Sequence, residues 1–87
     1  MLNAEDFLDE VRMAHRLKTK AYDLELTAYI DYVLDEFVRV GIDAKEKTPA
    51  ITNCIIAYTK TQFGNSDAGK KADWGITYDR LLTGLVV

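Results

Sequence analysis

The side chains best able to do chemistry in this 87-residue chain are few and stand far apart. Cys54 is its single cysteine and His15 its single histidine. A zinc site needs several thiolate, imidazole or carboxylate ligands at compatible spacing, and none is spelled out here. Cys54 lies within the apolar run Ile51 to Tyr58, where a cysteine serves as a small hydrophobe rather than a nucleophile. His15 sits among Arg12, Arg16, Lys18 and Lys20, with no nearby serine or second histidine to pair as nucleophile and base, and reads as a solvated helix end. The adjacent acids Asp9 with Glu10, and Asp35 with Glu36, point about 100° apart on a helix and do not form an acid–base pair. Gly41, Gly64, Gly69, Gly75 and Gly84 have no spacing that cradles a phosphate. The chain is therefore expected to hold no catalytic residue, no metal and no cofactor, and not to be an enzyme.

Four helices account for the remaining pattern. Asn3 precedes Ala4, Glu5 and Asp6, a cap followed by first-turn acids, and Phe7, Leu8, Val11 and Ala14 recur at helical spacing, predicting a helix over 4–16. Leu26, Tyr29, Ile30, Val33, Leu34, Phe37 and Val38 form a long stripe before Gly41, predicting a helix over 21–40 with a left-handed end. Thr48 before Pro49 starts a third over 49–63, apolar nearly all round and hence central. After the polar turn Gly64 to Asp67, the residues Trp74, Tyr78, Leu81, Leu82 and Leu85 share one face of a fourth helix over 68–83. No stretch alternates long enough to require a sheet. The expected architecture is all-α, a small bundle of four helices forming a single domain over 1–87.

A domain of this length buries only about 60 to 65% of its unfolded surface, so its stability alone is modest. Disulfides and metals are closed to it, which leaves oligomerisation as the usual compensation. Hydrophobic residues make up 48% and charged ones 29%, a balance that folds. No apolar run reaches the length of a membrane span, and the opening MLNAEDFLDE lacks the order of a secretory signal, so a cytoplasmic origin is expected.

The net charge of −3 conceals a split, with ten acids against five bases over 1–43 and four acids against six bases over 44–87. That split speaks against a general nucleic-acid binder and permits complementary contact between copies. The basic stretch from Arg12 to Lys20 is the minor exception, able to meet phosphate. Tyr22, Tyr29, Tyr32, Tyr58, Trp74 and Tyr78 exceed the needs of a small core, and either pack within the monomer or form a shared surface.

Much of the chain carries a further pattern. A proline-started apolar helix with a tyrosine (Pro49, Ile55, Ala57, Tyr58), a Phe63-Gly64 ending, a polar loop and a last helix with Tyr78, Asp79 and Leu82 resemble the small head-tail connector proteins of tailed bacteriophages. These are also known as head-completion or DNA-packaging proteins. The first half is similar more loosely, with a short acidic helix and then a long one ending near Val40-Gly41-Ile42.

The resemblance implies a viral structural protein at the head-tail junction of the virion, made in the host cytoplasm. It implies a homo-oligomeric ring of about a dozen copies, each using two different surfaces. Such a ring sits between the portal protein and a tail or stopper protein and lets DNA pass without sequence-specific binding. In that setting Asp31, Asp35, Glu36, Tyr32, Trp74 and Tyr78 are expected at subunit interfaces or along the channel. Two other classes compete: a small helical DNA-binding regulator, whose third helix would read bases poorly through Ile51, Ile55 and Ile56, and an adaptor or inhibitor of a host protein.

Overall fold

A computed structural model describes residues 2–64 and 68–86 as four helices, α1 (Glu5–Ala14), α2 (Asp23–Val40), α3 (Pro49–Gln62) and α4 (Ala68–Leu85), with no strand among the described residues. The all-α bundle expected from the sequence is the architecture observed. Its helix ends differ by a few residues from the predicted ones, each for a local reason.

Asn3 opens α1 much as its type requires. Its Oδ1 accepts the Glu5 N–H at 3.0 Å, and Asp6 Oδ2 accepts the Asn3 N–H at 2.8 Å, so two free N–H groups at the helix start are satisfied by side chains. The helix then stops two residues early because Arg16 adopts a left-handed conformation, φ 56°. The Arg16 N–H reaches Met13 O at 3.0 Å and the Leu17 N–H reaches Arg12 O at 2.9 Å, the paired closing bonds of a Schellman end without the usual glycine. Only after a turn at Lys20–Asp23 does α2 begin, two residues later than predicted.

Gly41 ends α2 at φ 83°, and the Ile42 N–H returns to Phe37 O at 2.8 Å. Thr48 caps α3, its Oγ1 accepting the Ile51 N–H at 3.2 Å, with Pro49 behind it losing no internal bond. Phe63 has already left the helix in an extended conformation. The cap expected from Asn65 to Asp67 lies outside the described residues. Nothing breaks α4 at Thr83, and it continues through Gly84 to Leu85.

Helices α1, α2 and α3 pack mutually, and α4 lies against α3 alone. The core is Phe7 and Val11 from α1, Leu26, Ile30, Val33 and Phe37 from α2, and Ile51, Cys54, Ile55 and Ala57 from α3, with Ile42 closing one end. This explains why α3 is apolar nearly all round: one side faces α1 and α2 and the other faces α4. The last helix buries Tyr78, and Leu81, Leu82 and Leu85 in part, against it.

Two lysines tie the bundle at opposite ends. Lys47 Nζ donates to Asp6 O at 2.7 Å, pairs with Glu10 and sits 5.5 Å from the Phe7 ring centre, binding the α2–α3 loop to α1. Lys60 Nζ donates to Ala14 O at 2.6 Å and lies 5.9 Å from the Trp74 ring centre, joining α1, α3 and α4.

Candidate interaction surface

The groups examined first for chemistry are dispersed or neutralised. Cys54 is buried, and burial pushes its thiol up to about 12, so it is no thiolate at neutral pH. Asp9 pairs with Arg12 at 3.0 Å, and Arg12 also reaches Asp23 at 2.9 Å. Glu10 is held below the usual carboxylate range, chiefly by its hydrogen bond from Lys47. Among the described residues, no three histidine, cysteine or acidic side chains stand close enough to hold a metal ion, and no helix is long and apolar enough to cross a membrane.

His15 corrects the sequence expectation of a solvated helix end. Its ring packs edge-on against Phe63 at 5.0 Å, and its Nε2 lies 2.9 Å from Oγ1 of the fully buried Thr59. The Thr59 hydroxyl spends its proton on Ile56 O at 2.7 Å, so Nε2 must be the donor and His15 is the neutral Nε2–H tautomer. Burial, aided by the Lys60 charge, lowers its pKa to about 4.

The six residues expected at interfaces or along a channel divide into three settings. Asp31 and Asp35 are exposed on the outer face of α2, and neither makes an ion pair among the described residues. Glu36 is only 14% exposed and is gripped by Arg39, with one contact of 3.1 Å, so its charge is compensated. Half-exposed Tyr32 stacks on Tyr58 with ring centres 4.8 Å apart, and Tyr58 in turn meets Tyr78 at 5.2 Å. Tyr78 itself is buried, its hydroxyl has no partner among the described residues, and burial is the first cause of its raised pKa. These three tyrosines therefore join α2 to α4 through α3, and of the three it is Tyr32 that is open to a neighbour. Trp74, partly exposed, lies one turn away beside Lys60.

The most exposed large hydrophobics are ones the sequence reading passed over or placed in the core. Leu24 is 87% exposed, Met13 76% and Val38 68%. Leu24, Asp31 and Val38 recur every seven residues on the outer face of α2, a spacing that could have marked them as a stripe opposite the core. Of the apolar stripe read along α2, Leu34 packs against the core, whereas Val38 stands exposed; the two line, with Leu2, Ile42 and Ala44, an apolar groove of about 580 Å³ bordered by Asp43 and Lys45.

Charge is sorted by the ends of the bundle rather than by halves of the sequence. The α1–α2 loop and the facing ends of α3 and α4 carry Arg16, Lys18, Lys20, Lys60, Lys70 and Lys71 against Asp73, Glu25 and the Arg12-bound Asp23. The other end gathers Glu5, Asp6, Glu10, Asp35, Glu36, Asp43, Glu46 and Asp79 against Arg39, Lys45, Lys47 and Arg80. One end is basic and the other acidic, with the apolar groove at the acidic end. No family model, curated protein or solved structure matches this chain.

Proposed function

We propose that the chain is a structural connector of a tailed bacteriophage, assembling as a ring at the head-tail junction between the portal and a tail or stopper protein, with DNA passing through its centre. The observation that carries this reading is the distribution of the surface: two ends of opposite charge and exposed apolar side chains, with no constellation able to do chemistry. A closed ring requires each subunit to present two different and complementary surfaces. The sequence resemblance supplies the setting.

Uncompensated acids on the outer face of α2, Asp31 above all, suit a surface past which phosphates slide. A regulator that reads bases through α3 fits poorly, because α3 is covered on one side by α1 and α2 and on the other by α4, so that helix is not free to enter a groove. The groove beside Val38 favours a second reading, an adaptor that takes a segment of one host protein and forms a defined heterodimer.

The test is the mass of the purified protein by sedimentation across concentration, with and without duplex DNA. A particle of about a dozen subunits that leaves DNA unshifted agrees with the connector. A dimer that shifts DNA at low salt sinks it.

A further inference from the structure

We propose that neighbouring copies meet head to tail, the basic end of one chain docking into the apolar groove at the acidic end of the next. The inference deepens the connector reading and rests on it only for the existence of an assembly, while the choice of surfaces comes from the fold.

Both halves of the contact are present on one chain. The receiving half is the groove of Leu34, Val38, Ile42 and Ala44, with Asp43 and Lys45 on its lip and exposed Asp35 on the neighbouring turn of α2. The inserting half is the α1–α2 loop, where Met13 from the last turn of α1 and Leu24 from the first turn of α2 stand more exposed than any other large hydrophobics among the described residues, on either side of Arg16, Lys18 and Lys20. Asp23 beside Leu24 is held by Arg12, and Glu25 is left as the one uncompensated acid of that loop among the described residues. Apolar side chains at an end with a surplus of cations face an apolar trough at an end with a surplus of carboxylates. A flexible methionine adapts to such a trough, and the charged rims fix orientation and suppress the reversed pairing.

The loop is also held in shape before docking. The left-handed Arg16 and its two closing hydrogen bonds fix the turn, and Lys60 clamps the end of α1 from below. Because the two halves lie at opposite ends of the bundle they cannot meet within one chain. Used once between each pair of neighbours, the contact is heterologous, closing a ring or running on as a filament according to the rotation between copies. A contact of about 800 Å² per partner would cover about a seventh of the 5761 Å² surface, leaving room for both contacts on every subunit.

Charge reversal tests the pairing. One variant carries Arg16→Glu, Lys18→Glu and Lys20→Glu, the other Asp35→Lys and Asp43→Lys, with helical content checked by circular dichroism. In sedimentation velocity at low salt the natural chain assembles, each variant alone stays at protomer mass, and an equimolar mixture assembles again, since every contact is then opposite in charge. If a reversed chain loses helicity, Leu24→Ser and Val38→Ser replace exposed residues instead, and each weakens assembly at least tenfold. Full assembly of either charge variant alone overturns the head-to-tail contact while leaving the connector reading standing. A natural chain that stays monomeric up to its solubility limit also overturns it, and the connector reading then depends on co-assembly with the portal.

Discussion

His15 shows how one side chain can set a pH dependence without catalysing anything. In the folded chain it is neutral, donating to Thr59, with its pKa lowered to about 4 mainly by burial. In the unfolded chain it titrates near 6.5. Between those values the unfolded state binds a proton that the folded state refuses, so the stability tied to neutral His15 is complete above about pH 6.5 and is lost as pH falls toward 4. Urea unfolding at pH 7 and pH 4.5 should show this loss, and His15→Gln, which keeps a donor but cannot titrate, should show less of it.

Tyr78 makes the opposite case, a buried hydroxyl with no partner among the described residues. Its ring contributes packing while its oxygen costs desolvation. Tyr78→Phe is expected to be neutral or to stabilise by about 1 kcal/mol, whereas Tyr78→Ala should destabilise by about 3 kcal/mol. Thermal unfolding of the two variants checks both values, and equal losses would show that the hydroxyl has a partner after all.

Among the helices, α4 is the least anchored. It touches α3 alone, has a single buried residue and contains two of the chain's glycines in its interior beyond Gly69. Local opening follows from sparse burial, so its amides should exchange faster than those of α2 and α3 in native-state hydrogen exchange. Gly75 offers a way to shift that balance. A methyl group there would stand 4.0 Å from Thr61 Cγ2, ordinary contact distance, and the helix would lose its flexible residue. Gly75→Ala should therefore stabilise by about 0.5–1 kcal/mol and slow exchange throughout α4. Gly41 is not equivalent, because its φ of 83° is strained for any residue with a Cβ. The helices themselves were legible from local signals: Asn3 and Thr48 as caps, Gly41 as a stop, and apolar spacing between. The stop at Arg16 was not, since nothing in an arginine announces a left-handed residue.

As a whole molecule the chain has a radius of gyration of 12.3 Å and a core drawn mainly from three helices, too little to make it robust alone. If copies associate through their charged ends, the folded state gains stability by mass action. The melting temperature should then rise with protein concentration at low ionic strength, and this dependence should fade as salt screens the contact. Scanning calorimetry over a range of concentrations at two salt levels measures both. A melting temperature indifferent to concentration would mean that the monomer carries its own stability.

By itself the sequence determined the four helices, the central place of α3 and the scattering of the reactive side chains, because capping, backbone freedom and apolar period act over a few neighbouring residues. It also marked the acid-rich first half, yet it put His15 in solvent and Val38 on the same apolar stripe as Leu34 and Phe37. Tertiary structure decided those matters. Whether a side chain meets water, an aromatic ring or an opposite charge depends on which helix is folded beside it, as Phe63 and Thr59 are beside His15 and Lys47 beside Glu10. The same long-range pairing turned a difference between halves of the chain into a difference between ends of the bundle, and opened the groove beside Val38.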